Sequence, residues 1–349
     1  MHEPSGYLLY KYAGRPVFAI PALASNFRQA AIKRFQPTTW RRGTYRGIVH
    51  ASMLLGMDFL LNQTIESPAE VDSMLSDEWT LFLSEMADHL GVSRVDAAVF
   101  WPPQPDRKRI YVHLFDKHSR PIGYAKVSLS LSSSTNALLR HEGLVLSAFS
   151  EIKPISFKVP QFISYGSVAN YTYLLLSPLP QYARPVSRRR YFYPAACVRE
   201  YAGPTSRFGV AGLHKLSWWN KYLSVIDERC RAFHDELLET LSIGEISICM
   251  AHGDLSNNNI VRCGSEIWIF DWEGSVPDAP VRTDEIGYYL ATNQPNIRRN
   301  PHRGTKLVKR KYLTDATPDM KASFMIALAF RVASDIDDAS LIIQNWRNA

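Results

Sequence analysis

The chain has 349 residues, of which 46% are apolar and 21% charged, with a net charge of +7. That is an ordinary globular composition with room for two lobes and an extension. No run approaches the roughly 20 apolar residues of a membrane-spanning helix, and Cys197, Cys230, Cys249 and Cys263 lack metal-ligand spacing, which excludes a helical membrane protein and a cysteine-held metal. The cysteines fit buried thiols in a reducing compartment better than a disulfide framework. The first residues lack the basic-then-apolar pattern of a signal peptide, so a cytoplasmic location is expected.

Residues 1–90 come first and are basic. Lys11, Arg15, Arg28, Lys33, Arg34, Arg41, Arg42 and Arg46 face Glu3 alone within residues 1–50, a balance of +7 that equals the whole chain's. Tyr45–Leu61 is apolar with helical periodicity, and Pro68–Leu90 carries a second helical pattern. The segment reads as an N-terminal extension: an extra domain, a cap on the next region, or a docking surface. A basic stretch interleaved with aromatics can meet an acidic surface, but a solvated basic face is the commoner case. No nucleic-acid-binding motif is present.

Residues 91–176 read as strands and a helix. Val95–Trp101, Arg109–Phe115 and Gly123–Leu129 predict an antiparallel meander, with turns at Pro102–Arg107 and Asp116–Pro121. Lys126 lies on the third strand. Asn136–Phe149 repeats Leu138, Leu139, Val145, Leu146 and Phe149 at helical spacing and carries Glu142. Two more strands follow, Val159–Gly166 and a stretch from Tyr171 that Ser177-Pro178 stops.

From residue 177 the chain is mostly helical. An Arg-rich opening holds Arg184 and Arg188-Arg-Arg190. Trp219–Leu241 predicts one helix. Trp218 or Trp219 could stack on a sugar ring, but large aromatics more often serve packing. Further on, Ile286–Leu290 starts a helix, 298–303 with 306–311 reads as a basic loop, and Pro318–Ile336 as an apolar helix, before Leu341–Trp346 closes the chain.

The chemistry concentrates in His252-Gly-Asp-Leu-Ser-Asn-Asn-Asn259 and Ile267-Trp-Ile-Phe-Asp-Trp-Glu273. Ser247–Ala251 leads in as an apolar run, and Ile267–Phe270 predicts a short strand that delivers Asp271. Asp254 and Asp271 are 17 residues apart, enough for a loop, a turn at Arg262–Ser265 and a strand. A hairpin there brings both carboxylates to one end. This is the layout of metal-assisted phosphoryl transfer, in which a protein positions groups and neutralises charge. One carboxylate takes the proton of an attacking hydroxyl. A carboxamide and a second carboxylate offer the oxygen ligands that a hard divalent cation prefers.

In these motifs the chain resembles the aminoglycoside phosphotransferase and choline kinase family, small-molecule kinases with a protein-kinase-like fold. The resemblance implies an α+β, two-lobe fold: a small antiparallel sheet lobe over 91–176 and a mainly helical lobe over 177–349. It implies Asp254 as catalytic base, with Asn259 and Asp271 as Mg²⁺ ligands. Lys126 would reach the nucleotide phosphates, braced by Glu142, and backbone near Leu176 and Leu179 would meet the adenine of ATP or the base of another nucleoside triphosphate. His252 would brace the loop, and Asp284 would anchor it. Ser256 stands where a protein kinase carries a catalytic-loop Lys, which favours the small-molecule branch.

One departure stands out. The first turn, residues 102–108, has no glycine to let backbone N–H groups approach phosphates. Either Arg107, Lys108 or Arg109 supplies charge instead, or the chain is a pseudokinase that binds a partner through its basic segment. The joint presence of Lys126, Asp254, Asn259 and Asp271 argues for activity. The basic balance and the Arg-rich region where the acceptor site would begin point away from polycationic aminoglycosides. They favour a neutral or anionic hydroxyl acceptor, such as a sugar.

Overall fold

The computed structural model describes residues 6–34, 40–68, 78–102, 109–129, 133–186, 192–241, 244–334 and 336–347. Arg107, Lys108 and most of the predicted turn before them lie outside these residues, as do Arg188–Arg190, Glu3 and the early part of the predicted 68–90 helix. The chain divides into two compact units, Met1–Lys153 with Val159–Ala183, and Pro154–Lys158 with Arg184–Ala349. The first is built on an antiparallel sheet and the second is mainly helical, as expected of the α+β fold.

The first unit runs β1 (Tyr7–Tyr12), β2 (Arg15–Pro21), α1 (Ser25–Arg34), α2 (Trp40–Leu54), β3 (Asn62–Ile65), α3 (Trp79–His89), β4 (Asp96–Phe100), β5 (Arg109–Phe115), β6 (Pro121–Ser128), α4 (Ser133–Ile152), β7 (Phe162–Val168) and β8 (Tyr171–Leu176). Its strands form one sheet in the order β3-β1-β2-β4-β5-β6-β8-β7. Residues 7–65, read from sequence as an extension of open role, therefore supply strands to the same sheet through the β2–β4 pairing, Phe18 to Phe100. The strand signal there was masked by aromatic and basic residues that alternate poorly.

Period-2 alternation divides this sheet into two faces. Leu9, Ala19, Val99, Val112, Ala125 and Leu175 share one face by register. They pack with Trp79, Phe82 and Met86 of α3. Tyr10, Phe18 and Phe100 point to the other face, where Phe27, Ala31, Val49 and Met53 of α1 and α2 cover them. Lys126 pairs with Tyr111, and Tyr111 with Phe100, so Lys126 belongs to this second face.

The second unit holds β9 (Arg184–Pro185), α5 (Ala195–Ala202), β10 (Ser206–Gly209), α6 (Ser217–Val225), α7 (Arg231–Thr240), β11 (Glu245–Ala251), β12 (Ile260–Cys263), β13 (Glu266–Ile269), β14 (Val276–Pro280), α8 (Thr283–Arg299), α9 (Pro301–Leu313), α10 (Pro318–Ala333) and α11 (Asp337–Gln344). Two small sheets, β10-β11-β14 and β13-β12-β9, carry the loop of interest between them. α10 is apolar on nearly every side and forms the centre of the core, with Phe324, Met325, Leu328 and Phe330 buried. Among the described residues no helix is long and apolar enough to cross a membrane.

Two sequence expectations are corrected here. The single helix over Trp219–Leu241 is broken into α6 and α7. Asp227 takes an extended conformation between them, and its carboxylate accepts the Arg229 N–H at 3.0 Å, starting a new turn. The basic loop is helical instead. α8 runs to Arg299, and Asn300 caps α9 by accepting the Arg303 N–H at 3.0 Å, with Pro301 in the first turn. Asn-Pro before a basic run is a helix start, and charge had concealed it.

Candidate active site

The β11–β12 loop is held from below by buried groups. Asp284, in the first turn of α8, accepts the N–H of His252 at 2.6 Å and of Gly253 at 3.0 Å. Tyr201 of α5 donates its hydroxyl to the same carboxylate at 2.7 Å. That carboxylate and burial push the Tyr201 phenol well above its ordinary range, burial being the larger cause. Arg331 of α10, 3% exposed, donates to the Gly253 carbonyl. Gly287 leaves room for it: a Cβ there would lie 2.9 Å from the guanidinium carbon. Sequence reasoning foresaw Asp284 as an anchor but missed Arg331, Tyr201 and Gly287. An arginine in an otherwise apolar helix was the available signal, since a buried charge requires partners.

Gly253 has φ +81°, and a Cβ on it would meet the Gly274 carbonyl oxygen at 1.9 Å. Only glycine fits this turn. His252, fully buried, donates from Nε2 to the Phe270 carbonyl at 3.1 Å and accepts the Asp254 N–H at Nδ1, 3.3 Å away. Its ring lies 4.5 Å from that of Trp272. It ties the loop to the end of β13.

Asn259 closes the loop from the other side. Its Nδ2 donates to the Asp254 carbonyl at 2.8 Å and to Asp254 Oδ2 at 3.1 Å. Both bonds use the amide nitrogen, so Oδ1 is the end of this side chain suited to a cation. The predicted hairpin forms, with Ile260 opposite Ile269 and Cys263 opposite Glu266. Phe270 N–H donates to the Asn259 carbonyl at 3.1 Å, which places Asn259 beside the start of Asp271. Asp271 takes the left-handed conformation, φ 69°, which its short polar side chain tolerates. Asn257 and Ser256 are buried, and Asn257 accepts from the Tyr288 hydroxyl.

The Asp254 carboxyl is held above its ordinary value of 3.8, first by burial and then by the charge of Asp271. His252, then Arg331 and the Asn259 hydrogen bond, pull the other way. The Asp271 carboxylate thus lies close enough to Asp254 to repel it, and the Asn259 amide is hydrogen-bonded to Asp254. A hard dication fits such an all-oxygen, like-charged set, so the residues present suit Mg²⁺.

In the first unit Lys126 Nζ donates to Glu142 Oε2 at 2.7 Å, with the two residues 4% and 1% exposed. The pairing is the one that the family resemblance implied. Packing explains it: α4 lies on the Lys126 face, where a Cβ at Gly143 would come within 3.2 Å of Leu174 and Phe162. A glycine beside Glu142 lets the helix approach closely. Arg109, opposite Ser128, sits on the same face as Lys126 and is 4% exposed.

The remaining predicted residues fall differently. Leu176 is buried at the end of β8, paired with Tyr124 on one side and Phe162 on the other. The Leu179 carbonyl accepts from the Arg34 guanidinium at 2.5 Å, and Ser177 N–H donates to Gln161 at 2.8 Å. Trp218 and Trp219 are core residues, Trp218 packing edge-on against Phe330 with centroids 5.3 Å apart.

No protein-family model and no curated protein matches the chain. Among solved structures it is similar to the aminoglycoside phosphotransferase APH(4)-Ia, at 13% identity and TM-score 0.46, over 78% of this chain and 97% of that one. It is also similar to the aminoglycoside phosphotransferase APH(3'')-Id from Streptomyces rimosus, at 13% identity and TM-score 0.40, over 73% and 98%. A third is the amicoumacin kinase hAmiN in complex with AMP-PNP, Ca²⁺ and Ami, at 11% identity and TM-score 0.35, over 80% and 95%.

Proposed function

We propose that the chain is a small-molecule kinase of the aminoglycoside phosphotransferase and choline kinase type, moving a phosphoryl group from ATP or another nucleoside triphosphate to a hydroxyl. The observation that carries this reading is the Asp254–Asn259–Asp271 arrangement: one acid fixed by a carboxamide, with a second acid close enough to raise its pKa. The buried Lys126–Glu142 pair supports it, because it holds an ammonium in place for phosphate oxygens.

Asp254 is the general base. It orients the acceptor hydroxyl and takes its proton, and burial raises its basicity for that task. Its second oxygen stays on the Asn259 amide, which keeps the carboxylate from rotating away. Asn259 Oδ1 and Asp271 would hold Mg²⁺, which when bound supplies charge neutralisation for the phosphates. Lys126 binds phosphate oxygens, and Glu142 fixes its direction. Arg109, on the same face, takes the part that a glycine-rich loop plays elsewhere. The acceptor is a neutral or anionic hydroxyl compound, such as a sugar, in keeping with the chain's charge of +7.

An ATP-consumption screen with Mg²⁺ over sugars, amino alcohols, nucleosides and aminoglycosides tests the reading. Turnover on one acceptor class, lost on removal of Mg²⁺ by chelation, is the expected result. Mg-ATP binding without turnover on any acceptor would instead indicate a pseudokinase.

A further inference from the structure

We infer that α2 and the turn after it form a docking surface for an anionic phospholipid bilayer. The inference is independent of the phosphotransferase reading and rests on the surface of the first unit.

Six of the sixteen large hydrophobic side chains exposed among the described residues fall within residues 48–60. They are Ile48, Leu54, Leu55, Met57, Phe59 and Leu60, with Leu55 74%, Phe59 67% and Leu60 64% exposed. Scattered apolar side chains are normal on a surface, but a concentration of this kind marks an interaction site. α2 already satisfies the fold with its opposite stripe, since Val49 and Met53 are buried against the sheet. Arg41, Ile48 and Leu55, seven residues apart, lie along an outward stripe, basic at its start and apolar at its end.

The apolar tip is built to stay out. Asp58 is 4% exposed and accepts from the Tyr10 hydroxyl at 3.1 Å and from the Arg28 guanidinium. Its carbonyl accepts from Asn62 Nδ2 at 2.7 Å and from Leu61 N–H at 2.9 Å. These bonds fix a 3₁₀ turn at Asp58–Leu60 that presents Phe59 and Leu60 to solvent. A loose loop could fold such side chains back; this turn holds them outward.

Charge selects the occupant. Residues 6–65 contain eight Lys and Arg, and Asp58 is their sole carboxylate. It is buried and paired with Arg28. Lys33 and Arg41 are exposed. Burial first, then the charges of Lys33 and Arg46, hold the His50 imidazole below its ordinary value, which shows that positive charge gathers beside α2. A second copy of this chain would set like charges face to face. A nucleic acid would reward the cations but not Phe59, Leu55 and Leu60. An anionic bilayer rewards both, taking the apolar tip into the headgroup boundary and the cations onto its phosphates.

The test is sedimentation of the full-length chain with phosphatidylcholine vesicles, with and without phosphatidylserine. The chain is expected to bind the phosphatidylserine vesicles about tenfold more tightly or better, and to release as salt rises. Leu55→Asp with Phe59→Asp should weaken binding by about tenfold or more with an unchanged circular dichroism spectrum, since both positions are exposed. Phe59→Trp should keep the affinity and gain a blue-shifted emission on vesicles relative to wild type. Three results would overturn the proposal: wild type that stays in the supernatant, Asp variants that bind as wild type does, or tip-dependent self-association in light scattering. Retention by an acidic protein column without any vesicle binding would overturn it as well.

Discussion

Asp254 sits among charges of both signs, and the balance between them sets what it can do. Burial and Asp271 raise its pKa, while His252 and then Arg331 lower it. A carboxyl raised in the folded state favours the protonated form. Its contribution to stability is therefore complete below the ordinary value of 3.8 and is lost as pH rises through the folded value. At neutral pH the ionised Asp254 is thus a cost, and Asp254→Asn should raise Tm there, with the gain vanishing in acid. Arg331→Met should act in the reverse sense on the same group. Without the cation the Asp254 pKa climbs, so the acid limb of the activity profile moves to higher pH. It also leaves Asp284 with less positive charge around it, and thermal melts should show a loss of stability. At Lys126, Lys126→Met leaves Glu142 buried without its cation, which should cost about 3–5 kcal/mol in denaturant unfolding, with Lys126→Met plus Glu142→Leu recovering part of it. The hairpin that carries Asp271 was legible from the apolar runs and the turn between them, and the Lys126–Glu142 pair from the family resemblance. Arg331 and Tyr201 were not, because Arg331 reaches Gly253 from a helix 78 residues away and Tyr201 acts through Asp284, 83 residues from it, and nothing near the loop in sequence marks either approach.

At the scale of elements, the hairpin and the central strands were read well and the helix boundaries less so. β4, β5 and β6 announced themselves by alternation and β-branched residues, and β12–β13 by the turn around Gly264. The break between α6 and α7 was missed because apolar residues continue at helical spacing through it. Only Asp227 marks the stop, and an aspartate is equally at home on a helix surface. α9 was missed for a complementary reason: its buried stripe of Thr305, Val308 and Tyr312 is narrow beside its Lys and Arg. Its start depends on a side-chain cap, so Asn300→Ala should lower stability by about 1 kcal/mol, read as a shift in the denaturant midpoint at constant slope.

At the scale of the whole molecule, the sequence separates a strand-rich half from a helical half, and the two compact units follow that division. The boundary of the strand-rich half was not legible. Tyr7–Tyr12 lacks clean alternation because its aromatic and basic residues break the pattern, and Arg15–Pro21 because β2 is buried over most of its length, so it reads as a plain apolar run. Removing residues 1–66 would strip β1, β2 and β3 and leave β4 as an unpaired edge with Phe100 uncovered. That truncation should yield insoluble protein, checked by comparing soluble expression with the full chain. The proposed phosphoryl transfer depends on Asp254 acting as a base. Its most direct test is Mg²⁺-dependent turnover of a hydroxyl acceptor by Asp254→Asn beside nucleotide affinity measured on the same preparation. A loss of about 10²-fold or more in kcat with nucleotide affinity retained is the predicted result. Turnover equal to wild type in that variant would contradict it.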